Sequence, residues 1–125
     1  YLKSMERRNN QHGHIVTISS VVAHIAEYPK TNVYTGSKHA IRAISSCLRR
    51  ELAEKKSNIK VTNISPGPVA TEIFESTEFL EVTKSTPILE GEDIAVAVIN
   101  ALSASPAAQV CEIVVNNVPT LFGFY

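Results

Sequence analysis

Three short stretches rich in β-branched and aliphatic residues, Ile15 to Ser19, Ile59 to Ile64 and Cys111 to Val115, are separated by segments long enough to hold helices. That alternation constrains the fold more than any other feature, because strands joined through helices pair in parallel and build an open α/β sheet. From about Val33 the apolar positions Ala40, Ile41, Ile44, Leu48 and Leu52 recur at helical spacing, and Lys55-Lys56 suit the negative pole at the far end. Ser57 and Asn58 break that helix. A second helix is predicted from about Glu92 to Ser103, with Glu90, Glu92 and Asp93 crowding its N-terminus and Ser105-Pro106 ending it. Val21 to Asn32, which contains Pro29, reads as a loop, and the prolines of Ser65-Pro66-Gly67-Pro68 stop the second strand. Thr71 to Thr86 is polar and weakly periodic, predicting a short helix, and an aromatic tail, Leu121 to Tyr125, follows the third strand. The predicted fold class is α/β.

Composition narrows the function. With 44% apolar and 19% charged residues the chain reads as a globular unit, and its formal net charge of zero gives no bulk electrostatic hold on nucleic acid or a membrane surface. The longest apolar run, Ile94 to Ile99, is too short to span a bilayer, and Tyr1 to Asn10 has no signal-peptide core, so a cytoplasmic setting is the expectation. Cys47 and Cys111 are expected as free thiols serving as small apolar residues. His12, His14, His24 and His39 have no cysteine or carboxylate partners at metal-ligand spacing, so no metal is expected and surface or loop roles suffice. Asn63-Ile64-Ser65 matches a glycosylation acceptor but falls in a predicted buried strand. The opening on Tyr1, inside the charged end of a helix from Lys3 to Arg8, reads as the C-terminal part of something longer.

Chemistry concentrates in Tyr34-Thr35-Gly36-Ser37-Lys38. Four-residue spacing puts a phenol and an ammonium on one helix face, Cβ atoms roughly 5 to 6 Å apart. A tyrosine ionises near pH 10, and moving it about three units takes roughly 4 kcal/mol. One charge at about 5 Å and an effective dielectric of about 20 supplies about 3 kcal/mol. The pair is therefore a candidate general acid/base, short by an amount that a cationic cofactor ring could supply. A cation in a helix's first turn also opposes the helix dipole, which a bound cofactor would offset. Strand alternation puts the hydroxyls of Ser19 and Ser20 on opposite faces. In open α/β sheets ligands gather outside the carboxyl ends of the strands. Ser20 lies just past the first strand and Pro66-Gly67 just past the second, which places the candidate chemistry on that edge.

The strand-end Ser19-Ser20, the Tyr34-x-x-x-Lys38 helix start and the turn Ser65-Pro66-Gly67-Pro68-Val69-Ala70-Thr71 resemble the C-terminal half of the short-chain dehydrogenase/reductase family. More narrowly, Gly13-His14-Ile15-Val16, Asn32-Val33-Tyr34, Ser37-Lys38-His39-Ala40 and Leu48-Arg49-Arg50-Glu51-Leu52 resemble the insect farnesol dehydrogenase and dehydrogenase/reductase family member 11 group. The resemblance covers the chain to about Val115 and implies part of a Rossmann-like, doubly wound parallel sheet with about three strands present. It further implies that Tyr34 exchanges a proton with the substrate oxygen while hydride passes to or from a nicotinamide ring. Lys38 would ease that ionisation and hydrogen-bond the nicotinamide ribose. Ser20, favoured over Ser19 by family position, would hold the substrate oxygen. Pro66 and Gly67 would let the backbone approach the nicotinamide, with Val69 and Thr71 at its carboxamide. The implied cofactor is NADP, with NAD open, because the residues that read the adenosine ribose lie upstream. The implied substrate is an alcohol or carbonyl compound, led by an isoprenoid alcohol such as farnesol, with steroid or small carbonyl compounds behind it. A homo-oligomer packing partly through the helix of Ile41, Ile44 and Leu48 is also implied.

Two family features have no counterpart here. The glycine-rich Thr-Gly-x-x-x-Gly-x-Gly turn that cradles the pyrophosphate is absent from this sequence, and the family's catalytic helix asparagine would fall before Tyr1. A chain without them is expected to be a poor cofactor binder with an unpaired first strand. The competing reading is a non-catalytic fragment that keeps the scaffold as an interaction surface.

Overall fold

The computed structural model describes residues 2–9, 12–26, 30–72 and 87–119. In chain order these form α1 (Leu2–Arg7), β1 (His12–Ile18), a 3-10 turn (Val21–Ala23), α2 (Asn32–Glu54), β2 (Asn58–Pro66), α3 (Gly91–Leu102) and β3 (Glu112–Val115). The aromatic tail, and all but the first two residues of the helix expected from Thr71, lie outside the described residues.

The strands stand in the order β1-β2-β3, and both pairings are parallel. Side chains alternate across a strand, so the register says which helix each row meets. Thr17, Asn63 and Glu112 lie side by side. Thr17 meets Ser45 of α2 at 3.0 Å, and Glu112 meets Arg42 of α2 at 3.5 Å, so this row faces α2. Lys60 is an odd number of residues from Asn63 and points the other way, donating to the carbonyls of Ala104 and Ser105 just past α3, at 3.1 and 2.6 Å. α2 and α3 thus cover opposite faces, the doubly wound arrangement of a Rossmann-like sheet.

β2 runs further than its prolines suggested. Asn63 and Gly67 both donate their backbone N–H toward β3, to Cys111 at 3.1 Å and Val115 at 2.7 Å. The missing N–H of Pro66 therefore falls on the β1 side, where β1 has already turned away, and the ladder loses nothing.

The apolar core includes Val61 and Ile64 of β2, Ala97 and Ala101 of α3, Leu52 of α2 and Val21 and Ala23 of the turn, all buried. The α2 interface is different in kind. Ile44, one of the apolar positions that recur at helical spacing, is 64% exposed, whereas its neighbour Ser45 is 2% exposed. The sheet row opposite carries Thr17 and Asn63, whose polar groups need partners once buried, and a serine supplies one where an isoleucine cannot. Cys47 and Cys111 are free, as expected, but both are exposed, so neither fills the buried apolar role the sequence suggested. Among the described residues no helix is long and apolar enough to cross a membrane.

Candidate active site

Ser19 and Ser20 leave the sheet at the carboxyl end of β1. Ser19 still donates its N–H to Ile64 of β2 at 2.7 Å, and its hydroxyl donates to the Lys38 carbonyl at 3.1 Å. Ser20 has extended backbone and accepts from the Val22 N–H at 3.3 Å, which starts the 3-10 turn. The two hydroxyls thus part company: Ser19 ties β1 to α2, and Ser20 caps the turn.

Helix α2 starts at Asn32, and the hydroxyl of Thr31 just before it lies 3.0 Å from that of Thr35 in its first turn. Tyr34 stands in the first turn and is 42% exposed. Lys38 follows one turn later, its Nζ 5.5 Å from the Tyr34 ring centroid. That ammonium also donates to the Ile18 carbonyl at 3.3 Å. Because the Ser19 N–H points toward β2, the Ile18 carbonyl points to the outer edge of β1. Burial lowers the pKa of Lys38 from its ordinary 10.5. With the helix beginning at Asn32, Lys38 sits in the second turn, beyond the reach of the helix end, so the dipole conflict expected of a first-turn cation does not arise.

The residues after β2 form a separate cluster on the same edge. Val69 and Leu89 make a parallel bridge, with Ala70 donating to Leu89 and Leu89 to Pro68, each at 2.8 Å. Thr71 is exposed, and its hydroxyl donates to the Val69 carbonyl at 3.3 Å. At Gly67 a Cβ would collide with Oδ1 of Asn116 and lie 3.4 Å from its Cγ. The space left by the missing side chain is therefore set against the Asn116 amide. The contacts of Gly67, Val69 and Thr71 run within this cluster rather than to Tyr34 or Lys38.

Sequence reasoning missed a polar network beneath this edge. Glu112 Oε1 accepts from Asn63 Nδ2 at 2.6 Å and Ser65 Oγ at 2.9 Å, and meets His24 Nε2 at 3.1 Å. His24 therefore has an interior role instead of the surface or loop role expected of it. Asn63, also hydrogen-bonded to Thr17 at 2.9 Å, is fully buried, in agreement with setting aside the glycosylation pattern. The available sign was a carboxylate at the start of a short apolar strand, where alternation points it at a helix. Among the described residues no group of His, Cys, Asp or Glu could hold a metal ion.

The donor set suits a ribose and a reacting oxygen. A lysine ammonium has three donors, and Lys38 spends one on Ile18. Ser20 uses an oxygen lone pair on Val22, which leaves its O–H to donate. With Tyr34 exposed beside Lys38 and Ser20 at the carboxyl end of β1, these residues provide a proton carrier, a cation and a hydroxyl donor.

The family model for short chain dehydrogenase matches residues 1–79. Farnesol dehydrogenase of Aedes aegypti is 42% identical over 121 residues, 96% of this chain and 48% of that protein. Dehydrogenase/reductase SDR family member 11 of Bos taurus is 36% identical over 118 residues, 89% of this chain and 46% of that one. The chain thus spans about half the length of the curated relatives it matches. Among solved structures, the closed form of serine dehydrogenase complexed with NADP+ superposes with a TM-score of 0.82 at 25% identity, over 99% of this chain and 51% of that one. The chain belongs to the short-chain dehydrogenase family.

Proposed function

We propose that this chain carries the proton-transfer half of an NADP-linked oxidoreductase that interconverts an alcohol and its carbonyl compound. The observation behind this reading is the Lys38 ammonium 5.5 Å from the Tyr34 ring, at the sheet edge where Ser20 offers a hydroxyl. When bound, the nicotinamide accepts or supplies the hydride. In oxidation, Tyr34 takes the proton of the substrate hydroxyl; in reduction it returns one to the carbonyl oxygen. Lys38 favours the negative charge that develops on the phenol oxygen, and its spare donors bind the ribose. Ser20 donates to the substrate oxygen, stabilising it as charge builds. Pro66 at the end of β2, with Gly67, Val69 and Thr71 in the residues after it, would border the nicotinamide.

An isoprenoid alcohol such as farnesol is the leading substrate class, supported by the likeness to the Aedes enzyme. NADP is the proposed cofactor, in line with the superposition on an NADP+ complex, with NAD open. The exposed Ile44 supports a homo-oligomer packed through α2. The test is a panel of alcohols with NADP and NAD on the full-length protein. Farnesol oxidation with NADP is expected, and Tyr34→Phe should lose at least about a hundredfold in turnover while binding cofactor normally. Undiminished turnover by that variant defeats the proposal. Activity confined to steroids or small carbonyl compounds moves the substrate class alone.

A further inference from the structure

We infer that Glu112 is a positioning residue for this site, its one carboxylate tethering both the turn that follows Ser20 and the helix that carries Tyr34 and Lys38. The inference rests on the catalytic reading of those residues given above.

The two halves of the site come from chain segments with different mechanical supports. Ser20 caps the 3-10 turn, whose other end is closed by His24, the C-cap residue, through its N–H to the Val21 carbonyl at 3.0 Å. Tyr34 and Lys38 lie on α2, and Arg42 follows Lys38 by one further turn on the same face. His24 reaches Glu112 Oε1 at 3.1 Å, and Arg42 reaches Oε2 at 3.5 Å. Each half is therefore held to a different oxygen of one carboxylate.

That carboxylate is itself immobilised from below. Asn63 and Ser65 of β2 donate to Oε1 at 2.6 and 2.9 Å, and His24 also meets the Ser65 hydroxyl at 3.2 Å. Arg49 of α2 clamps the backbone beside it, donating to the carbonyls of Cys111 at 3.1 Å and Val61 at 3.2 Å. Among the described residues, the charged or titratable groups around Glu112 are His24 from the turn and Arg42 and Arg49 from α2, while β2 contributes neutral donors. Burial pushes the Glu112 pKa up, but the hydrogen bonds from Asn63 and Ser65 and the charges of His24 and Arg42 outweigh it, and the net shift is downward. The carboxylate stays ionised at neutral pH, which is the form that holds both tethers. Reacting groups must be placed to better than about 1 Å, and a misplacement of that size can lose about a hundredfold in rate, so an anchor this far from the reacting atoms can still govern turnover.

The test uses the full-length, cofactor-loaded enzyme with Glu112→Gln, which keeps size and removes charge, and Arg42→Met, which cuts only the α2 tether from a half-exposed position. For Glu112→Gln, kcat should fall about tenfold with cofactor Kd changed by less than about twofold. Amide exchange should quicken at Ala23 and His24 in the turn and at Thr35 in the first turn of α2. For Arg42→Met the quickening should appear at Thr35 alone, with a smaller fall in kcat. Folded Glu112→Gln with wild-type kcat and wild-type exchange at these amides overturns the assignment. If that variant does not fold, Arg42→Met with unchanged kcat and unchanged Thr35 exchange overturns it instead. Should Tyr34→Phe keep its turnover, the catalytic reading fails, and the exchange pattern still decides whether Glu112 tethers both segments.

Discussion

Gly67 has its size dictated by one neighbour. Any Cβ there meets the Asn116 side chain, so Gly67→Ala is expected to destabilise by about 1 to 3 kcal/mol, with Asn116→Ala restoring most of the loss in a double mutant measured by urea unfolding. Proline-glycine after a strand was readable as a turn, but the contact that requires glycine lies across the sheet at a residue without any motif. His14 shows the same divide. It shares a 2.7 Å hydrogen bond with Thr62, and burial, followed by the charge of Lys60, holds its pKa below the ordinary 6.5. The unfolded imidazole therefore takes up its proton first: stability is complete above pH 6.5 and is lost as pH falls toward the lower folded value. Glu112 acts in a more acidic window, its contribution present above 4.5 and lost as pH falls through its depressed folded value. Unfolding midpoints measured against pH should fall in two stages, and His14→Gln should abolish only the upper one.

Helix α2 ends in a Schellman motif, with Ser57 donating to Leu52 at 2.9 Å and Lys56 to Ala53 at 3.0 Å. Lys56 occupies the left-handed position at φ 51°, where a Cβ is unfavourable by about 1 kcal/mol or more. Lys56→Gly should therefore raise stability by about 0.5 to 1 kcal/mol, read as a higher denaturation midpoint. At the start of α3 the Asp93 carboxylate accepts from the Glu90 N–H at 2.8 Å, and Asp93→Ala is expected to lose about 1 kcal/mol. Both helix ends were legible within a residue or two, since lysines, acids and prolines mark them locally. The inward face of α2 was not. Apolar spacing did not single out Ser45, and only the polar row of Thr17 and Asn63 explains why it turns inward.

The sheet edges and outer helix faces set the behaviour of the whole molecule. β1 is an edge of the described sheet, and the sequence lacks the glycine-rich turn that cradles a pyrophosphate. By calorimetry, this chain is expected to bind NADP less tightly than a protein that carries such a turn. In the full-length protein Ile44→Lys should shift sedimentation toward the monomer if α2 pairs two copies, since it puts a charge on an exposed apolar position. Alternating strand and helix patterns, read without coordinates, established the parallel α/β order, and Tyr34, Lys38 and Ser20 carried the family likeness, because periodicity, breakers and motif spacing are properties of neighbouring residues. Tertiary structure alone decided that Ser19 rather than Ser20 binds α2, that Asn116 guards Gly67, and that Glu112 joins His24 to Arg42. Those contacts join residues from separate elements, and only the packing of α2 onto the parallel sheet brings them within hydrogen-bonding distance.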